Sequence, residues 1–450
     1  MTRLLLAAVC FMQAQGQLVA DSWKAGVAKV DITPEKFMWM SGYASRNKPA
    51  QAKLHSLWAK ALVLEDAKKN RALLVTLDLV GISRELASNV CKSAGEKFGF
   101  RRDAIALSTS HTHTGPVVGR NLNVMYFLDE KNQKLVDEYA TTLEKKIVRV
   151  MGEAIRDLKP AKLQWGNGLS TFAVNRRENR GDINKLRREG KLKGPFDHQA
   201  PVLAVTDEKG KYRAIVFGYA CHATVLSYYK WTGDYPGFAQ IAVEKKHPEA
   251  IAMFWAGCGG DQNPLPRRTE ALAKKYGDML AKSVEAVLQG KMKPIKGQLR
   301  TLYREINLPF AALPTREKLL KDSESKNRYV KARAKYLLKK LATEEKLPKS
   351  YPYPIQTWRL GEELSWVILG GEVVVDYALR IKKEVGPKNT WVMAYANDVM
   401  AYIPSLRVLR EGGYEGGGAM IYYGQPTVWA PKVEELIVDE VHRQIKQLRR

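Results

Sequence analysis

The sequence predicts a mixed α/β (α+β) fold, with strands and helices layered in one large domain. Two observations support this prediction. Short apolar runs of strand length alternate along the chain with longer amphipathic helical patterns. The 450 residues are 45% hydrophobic and 27% charged, an ordinary globular composition, and no internal repeat or low-complexity linker interrupts them.

The predicted strands are short apolar or alternating runs, several of which end at a turn. They cover residues 27–32, 61–64, 72–80, 104–107, 162–165, 202–206, 214–220, 251–255, 368–372 and 391–394. The predicted helices have apolar residues at helical spacing. They cover residues 83–98 (with Ser83 as the N-cap), 136–155, 268–288 and 433–448.

A basic segment at residues 316–349 differs from the rest, with 12 Lys and Arg against 5 Asp and Glu. Apolar side chains recur at helical spacing from Val330 to Leu341, which predicts an amphipathic helix. One interpretation is a solvated helix that packs with one face on the protein core, to which the chain contributes both before and after this segment. The other is a surface at which a membrane or a substrate approaches the protein.

Residues 1–16 have the pattern of a signal peptide. Arg3 supplies the positive charge, residues 4–12 form a short apolar stretch, and residues 14–16 are a small-residue cleavage site. Lipidation at Cys10 is an alternative, against which the bulky Val9 argues. The sequence thus predicts a secreted or periplasmic protein whose domain covers residues 22–450. No later segment is apolar for long enough to cross a membrane.

The net charge of +26 at pH 7 favours anionic partners such as lipid surfaces or polysaccharides, or else reflects a soluble basic surface. No nucleic-acid-binding motif accompanies this charge, so nucleic acid is not an expected partner. Cleavage after residue 16 leaves Cys91, Cys221 and Cys258. Sequence leaves open whether Cys221 and Cys258 pair, and an odd count does not predict a disulfide scaffold.

A His-x-His motif stands in the segment 110–116 (Ser-His-Thr-His-Thr-Gly-Pro), directly after the predicted strand 104–107. Residues i and i+2 of an extended chain point to the same side. His111 and His113 can therefore face one cleft, either as two metal ligands or as a ligand and an acid/base. The ends of strands are also where sites in α/β proteins lie.

His222 and Glu372 also stand at the ends of apolar strands. A single histidine there is more often a hydrogen-bonded core residue, whereas a carboxylate must be paired, hydrogen-bonded or metal-bound. Two histidines and one carboxylate from separate strand ends would form a zinc site with an open position. Zinc would lower the pKa of a bound water to about 7 and polarise a carbonyl.

The loop 257–264 (Gly-Cys-Gly-Gly-Asp-Gln-Asn-Pro) follows another predicted strand. It is either a tight turn or a backbone nest for an anion or oxyanion. The loop holds no serine and the chain has no Gly-x-Ser-x-Gly motif, so a serine-triad hydrolase is not favoured. The loop also lacks the Lys-Ser/Thr of a phosphate-binding loop.

Taken in order, these segments resemble the neutral (alkaline, non-lysosomal) ceramidases. The segment 110–116 is similar to the family's Thr-His-Thr-His-Ser-Gly-Pro block. Further similar blocks, spread over roughly residues 25–425, are 26–34, 41–44, 62–66, 174–177, 221–224, 233–237, 371–372, 395–402 and 414–416.

The resemblance implies one zinc site enclosed by layered strands and helices. The family's zinc ligands map onto His111, His222, Glu372 and Tyr402. The residues expected to act in catalysis are His113, Arg176, Tyr414 and, as an oxyanion donor, Asn263. Tyr423, a looser match, and Asp261 are expected to bind substrate.

Two features depart from the family pattern. Asn263 stands before Pro264 where the family has a serine, and an amide cannot act as a nucleophile. The family's C-terminal immunoglobulin-like domain has no counterpart in the sequence, so the chain is expected to be the catalytic domain alone.

The resemblance therefore implies a secreted zinc-dependent hydrolase that cleaves the N-acyl bond of ceramide-like sphingolipids with zinc-activated water. Asn263 favours, as an alternative, a zinc amidase or esterase acting on a non-sphingolipid substrate. The positive charge motivates a third hypothesis, a non-catalytic protein that binds acidic envelope lipid or polysaccharide. The expected partners are a small lipid or N-acyl substrate and, peripherally, an anionic membrane surface.

Overall fold

The structure, a computed structural model, describes residues 23–449. The predicted signal peptide at residues 1–16 and the alternative lipidation at Cys10 lie outside the described residues. Within residues 23–449, no helix is long and apolar enough to cross a bilayer. Cys91, Cys221 and Cys258 are buried and free, so the structure forms no bond between the second and third of them.

Strands and helices alternate along the described part of the chain. The strands are β1 (Trp23–Asp31), β2 (Ala52–Lys53), β3 (Trp58–Glu65), β4 (Arg71–Leu77), β5 (Ile105–Thr109), β6 (Lys159–Leu169), β7 (Ala173–Asn175), β8 (Gln199–Thr206), β9 (Tyr212–Tyr219), β10 (Lys230–Trp231), β11 (Ile251–Ala256), β12 (Gln262–Pro264), β13 (Lys293–Pro294), β14 (Leu299–Pro309), β15 (Ser350–Leu360), β16 (Leu364–Leu369), β17 (Glu372–Val373), β18 (Thr390–Met393) and β19 (Tyr402–Ile403). The helices are α1 (Arg84–Phe98), α2 (Glu130–Arg156), α3 (Ile183–Arg188), α4 (Asp234–Lys246), α5 (Glu270–Gln289), α6 (Arg316–Ser323), α7 (Arg328–Glu344), α8 (Val375–Val385), α9 (Leu406–Glu411), α10 (Gly413–Gly416) and α11 (Val433–Leu448).

The N-terminal half builds one mixed sheet in the order β11-β9-β8-β6-β1-β3-β4-β5, with β13 beside β6. The pairs β4–β5 and β9–β11 are parallel, and the other neighbours on this path are antiparallel. The sheet curls far enough for its two outermost strands, β5 and β11, to contact each other. This curl brings the carboxyl ends of β5, β9 and β11 into one region.

A second sheet, in the order β14-β15-β16-β18, packs on one face of the first. Side chains alternate between the two faces of a strand, so Leu62 and Leu64 of β3 face this second sheet, while Ala61 and Val63 face α1 and α2. The core between the sheets includes six buried tryptophans: Trp23, Trp165, Trp255, Trp358, Trp366 and Trp391. Helices α8 and α11 cover the outer face of the second sheet.

The layers therefore run helix, sheet, sheet, helix, which confirms the predicted mixed α/β fold. Helix α1 begins after Ser83, whose hydroxyl accepts from the backbone N–H of Leu86, and α11 has the predicted bounds. The basic segment differs from the single predicted helix, since it forms α6 and α7. The break has a physical cause: the side chain of Asn327 accepts from two backbone N–H groups of the next turn and so starts a new helix.

Candidate metal centre and active site

The predicted site residues lie in segments that follow the carboxyl ends of strands. His111 follows β5, His222 follows β9, and Asn263 lies beyond β11 in β12. Glu372 and Tyr402 begin β17 and β19, which follow β16 and β18 of the second sheet. These two short strands pair in parallel with Glu372 opposite Tyr402. The site is thus assembled where the ends of both sheets meet.

Four candidate metal donors converge there. The Nε2 atoms of His111 and His222 lie 3.0 Å and 3.1 Å from Oε2 of Glu372. The phenolic oxygen of Tyr402 lies 3.0 Å from Nε2 of His222. All four side chains are buried. The structure therefore brings together the four residues that the sequence predicts as zinc ligands.

The hydrogen bonds of the two imidazoles decide which atoms face inward. Nδ1 of His111 donates to the carbonyl of Val80, and Nδ1 of His222 donates to the carbonyl of Gly259, both at 2.6 Å. Each neutral ring then carries its proton on Nδ1, so both Nε2 atoms present lone pairs to the Glu372 carboxylate. Facing lone pairs repel unless a cation lies between them. The donor set therefore fits a divalent cation such as zinc.

The protonation states also fit a metal. Burial and the nearby guanidinium of Arg176 lower the pKa of His222 to about 4. Burial alone would raise the pKa of Glu372, whereas positive charge on the imidazoles of His111 and His222 and hydrogen bonds from them lower it well below its usual range. Where the two Nε2 atoms carry no proton, a bound cation supplies that positive charge instead. At neutral pH, His222 is uncharged, which is the form that donates to a metal.

His113 lies beside this cluster. The three imidazoles have donor atoms within 4.8 Å of one another, so geometry alone admits His113 as a third ligand. Its Nε2 lies 3.1 Å from Nε2 of His111, but its Nδ1 is buried without a partner among the described residues. His113 thus lacks the outer hydrogen bond that orients His111 and His222. These contacts favour Glu372 as the third donor and His113 as an acid/base.

The loop at residues 41–46 forms a wall around His113. The ring of Tyr43 lies 4.8 Å from that of His113, and Gly42 approaches so closely that a Cβ atom there would lie 2.4 Å from Nδ1. Burial, together with the other two imidazoles, lowers the pKa of His113 well below its usual value. His113 is therefore neutral near pH 7, with one ring nitrogen able to accept a proton.

Arg176 and Asn263 meet because β7 pairs with β12 in antiparallel register. The guanidinium of Arg176 donates from Nε to Glu415 at 2.7 Å, from Nη1 to Oδ1 of Asn263 at 3.3 Å, and from Nη2 to the Tyr402 oxygen at 3.1 Å. Burial alone would lower the pKa of Arg176, but Tyr402 and Glu415 raise it well above its usual value. A permanent cation is thus fixed beside a candidate metal ligand.

The two predicted tyrosines lie at different depths. Tyr414 is 44% exposed, and its ring lies 5.3 Å from that of Tyr402 and under the guanidinium of Arg176. Tyr423 is buried and donates its hydroxyl proton to Oε1 of Glu372. Tyr414 is thus at the rim of the site, whereas the bond of Tyr423 supports a role in orienting Glu372. The predicted contact of Tyr423 with substrate stays a prediction.

The side chain of Asp261 bonds other parts of the protein and none of the four candidate metal donors. It is fully buried, and its two carboxylate oxygens accept from the N–H of Val375 and the amide of Asn175, both at 2.9 Å. Burial raises its pKa to about 6. Because both oxygens are engaged by the protein, these contacts support a role in holding the start of α8 and the end of β7. The predicted contact of Asp261 with substrate stays a prediction.

Three further residues contact the cluster, although sequence reasoning assigned them no role. Glu415 accepts from Arg176, Thr224 donates to Oδ1 of Asn263 at 3.5 Å, and the ring of Tyr395 lies 4.3 Å from that of His111. Glu415 and Tyr395 stand in the ceramidase-like segments 414–416 and 395–402. Their position in these segments, next to predicted site residues, was the sequence feature that could have identified them.

Comparison with known proteins assigns the chain to a family. The sequence profile described as neutral/alkaline non-lysosomal ceramidase, N-terminal, matches residues 23–264, more than half of the chain. The chain belongs to this family. The matched range holds the three histidines of the ceramidase-like site together with Arg176 and Asn263. Glu372 and Tyr402 lie beyond that range and join the site through the fold.

Individual ceramidases are similar to this chain over different lengths. The neutral ceramidase of Pseudomonas aeruginosa is 23% identical over 524 residues, which cover 97% of this chain and 74% of the relative. The neutral ceramidase of Drosophila melanogaster is 25% identical and covers 51% of this chain and 33% of its own length. Neutral ceramidase A of Dictyostelium discoideum is 26% identical, with coverages of 55% and 36%.

Solved ceramidase structures share the fold. The crystal structure of the neutral ceramidase from Pseudomonas aeruginosa aligns with a TM-score of 0.72 at 20% identity, over 95% of this chain and 75% of that chain. A structure described as ceramidase complexed with C2 aligns with a TM-score of 0.73 over the same shares. At this identity the likeness shows a common fold.

Proposed function

We propose that this chain is an exported, zinc-dependent amide hydrolase that cleaves the N-acyl bond of ceramide-like sphingolipids. The convergence of His111, His222 and Glu372, with both Nδ1 protons engaged elsewhere, supports the metal. The names of the relatives support the substrate class. The pattern of residues 1–16 supports export.

His111, His222, Glu372 and Tyr402 would hold the metal. When bound, zinc acidifies water and polarises a carbonyl. The chain's own residues orient these ligands. The Val80 and Gly259 carbonyls fix the two imidazoles, and Tyr423 fixes Glu372.

Hydrolysis adds the oxygen of water to the amide carbon, breaks the carbon–nitrogen bond and delivers a proton to the leaving nitrogen. Arg176 holds a permanent positive charge where the carbonyl oxygen becomes negative. Asn263 accepts through Oδ1 from Arg176 and Thr224, which leaves its NH₂ group without an acceptor among the described residues and available to the same oxygen. Neutral His113 accepts a proton from the attacking water and then, as an imidazolium, delivers that proton to the leaving nitrogen.

A second candidate is a zinc amidase or esterase that acts on a non-sphingolipid substrate. Asn263 favours it, because the residue at the position of the family's serine decides what the site presents to the substrate head group. An asparagine offers a fixed N–H donor and no nucleophile. The hydrolysis of a series of N-acyl amines and esters separates the two candidates.

The experiment compares N-acylsphingosines of increasing acyl length with soluble N-acyl amines and esters. The proposal predicts hydrolysis of the sphingosine amides that rises with acyl length. It also predicts at least roughly a hundredfold loss in Glu372→Gln, which removes a ligand charge. Glu384→Gln is the matched control, since among residues 23–449 the Glu384 side chain bonds only Arg380 and His442, on the surface.

Turnover that ignores acyl length and prefers soluble amines or esters would support the second candidate instead. Binding of anionic lipid or polysaccharide with no turnover of any substrate would leave the third hypothesis, a non-catalytic binding protein. Substitution Asn263→Ser then shows whether the amide at this position sets the preference.

A further inference from the structure

A continuous row of aromatic rings runs from the protein surface to the candidate metal centre. Phe127 is 45% exposed, and its ring lies 5.6 Å from that of Tyr329. Tyr329 lies 5.1 Å from Tyr422, and Tyr422 lies 6.3 Å from Tyr414. Tyr414 lies 5.3 Å from Tyr402, a candidate metal ligand. This aromatic row connects the site with the surface around Phe127.

The first turn of α7 is fixed to the wall of the site. The hydroxyl of Tyr329 donates to the carbonyl of Ala44 at 2.7 Å, and Nη2 of Arg328 donates to the same carbonyl at 3.2 Å. Ala44 belongs to the loop 41–46, which packs against His113. The guanidinium of Arg328 also lies 4.5 Å from the ring centroid of Phe127. Helix α7 therefore begins at the outer end of the aromatic row.

Cations line the side of α7 that faces away from the core. They recur at spacings of three and four residues and so share one helix face. These cations, the cation stripe, are Arg328, Lys331, Lys335 and Lys339. Ala334 and Leu337, on the opposite face, are buried. Of the 12 Lys and Arg in residues 316–349, all within the described chain, only Lys318 forms an ion pair, with Asp322.

We propose that the cation stripe and the outer rings of the aromatic row, Phe127 and Tyr329, together bind an anionic phospholipid bilayer. Aromatic side chains favour the boundary between head groups and acyl chains, and unpaired Lys and Arg favour anionic head groups. A soluble polyanion would use the cations and leave the rings in water, so a lipid surface matches more of what the protein exposes. This inference rests on the proposed lipid substrate, which would enter from a bilayer along the rings.

The test measures partition of the purified protein onto vesicles of phosphatidylcholine, with and without phosphatidylglycerol. Wild type is expected to bind the anionic vesicles, with an affinity that falls but is not lost as the salt concentration rises. The double variant Lys335→Gln/Lys339→Gln is expected to bind roughly 25-fold more weakly, since each cation near an anionic surface contributes roughly fivefold. Both lysines are exposed and unpaired in the described chain, so the variant should fold normally.

The matched control is Lys209→Gln/Lys388→Gln. These exposed lysines precede β9 and β18, the strands whose opposite ends lead to His222 and Tyr402. The control makes the same change in net charge at the end of the molecule away from the site. Its partition should stay within about twofold of wild type, because screened charges so far from the bilayer contribute little.

The rings are tested separately with Phe127→Ser. This variant should bind anionic vesicles several-fold more weakly, and the loss should persist at high salt, because burial of an apolar ring is not screened. A loss that disappears at high salt would show that the rings do not enter the bilayer and would overturn that half of the proposal.

Three outcomes overturn the cation stripe as a bilayer-binding surface: no binding of wild type to anionic vesicles, equal losses in the stripe and control variants, or stripe-dependent binding to a soluble polyuronate without binding to vesicles. Partition is measured without any hydrolysable substrate, so it is independent of activity. Vesicle binding without turnover would leave the surface intact and refute the proposed function. Turnover of a short-chain substrate without vesicle binding would refute the bilayer-binding surface and leave the proposed function intact.

Discussion

Arg176 connects the parts of the candidate site, because each nitrogen of its guanidinium bonds a different partner. Glu415 holds Nε, Asn263 holds Nη1 and Tyr402 holds Nη2. Glu415 also accepts from Arg177 at 2.7 Å, so one buried carboxylate balances two cations. The orientation of Arg176 toward the reacting oxygen therefore depends on Glu415, a residue that need not touch the substrate.

Replacement of Glu415 tests this dependence. We expect Glu415→Gln to lower kcat by roughly tenfold to a hundredfold with little change in KM. A misplaced guanidinium stabilises less of the negative charge that develops in the transition state, whereas binding of the uncharged substrate is little affected. Glu411→Gln is the control, since Glu411 bonds Arg177 and Arg407 but not Arg176. Equal effects of the two substitutions on kcat would contradict this role.

Gly42 is required by the position of His113. A Cβ atom at residue 42 would lie 2.4 Å from Nδ1 of His113, at a backbone φ of 95°. We expect Gly42→Ala to displace His113 and lower kcat by about a hundredfold while the metal is retained. Gly210→Ala is the control, because Gly210 has a φ of 84° with open space around it. Similar kcat losses in both variants would assign the effect to strain alone.

At the scale of elements, residues from distant parts of the chain meet because strand ends meet. Strands with strong apolar patterns, such as β5, β9 and β11, were predictable, and so were the motifs that follow them. Strand β14 was not, because it is the edge of its sheet and few of its side chains are buried. Helix α4 was also missed, since Pro236 and Gly237 lie in its first turn, where sequence patterns indicate a turn.

The candidate site, too, has features that could be predicted from the sequence and features that could not. The ligand set could be predicted from a resemblance, since each ligand stands in a recognisable segment. The bonds of Tyr423 and Asp261 could not, because they depend on tertiary contacts with Glu372, Val375 and Asn175 that no local pattern encodes. The break between α6 and α7 in the basic segment could have been predicted, because Asn327 is a good N-cap residue.

The cap of α7 can be tested directly. Asn327→Ala removes the acceptor for the N–H groups of Tyr329 and Val330, which lie 3.0 Å and 3.3 Å away. We expect about 1 kcal/mol of local destabilisation, seen as faster amide hydrogen exchange in the first turns of α7. Asn327→Ser should retain most of the protection, and unchanged exchange in Asn327→Ala would contradict the assignment.

At the scale of the whole molecule, two sheets share one core, and buried charges inside it make stability depend on pH. Burial raises the pKa of Asp398 to about 7, and the hydroxyl of Tyr351 donates to it at 2.6 Å. The unfolded chain releases this proton near pH 3.8, whereas the folded chain keeps it to about pH 7. Ionisation of Asp398 therefore lowers the stability of the fold as pH rises through this window.

Asp398→Asn should remove this dependence, because the amide oxygen can still accept from Tyr351 and has no proton to lose. We expect the free energy of unfolding of the variant to gain about 4 kcal/mol relative to wild type between pH 4 and pH 8. Urea unfolding at several pH values measures the difference. A constant difference across this range would show that Asp398 titrates normally.

The measurement that tests the central claim most directly is the zinc content of the purified protein and three variants by elemental analysis. We predict about one zinc per chain in wild type. Zinc should be lost in His222→Ala and Glu372→Gln and retained in His113→Ala, because His113 lies beside the donor set. A wild type without metal, or zinc that is lost in His113→Ala and kept in Glu372→Gln, would contradict the assigned metal centre.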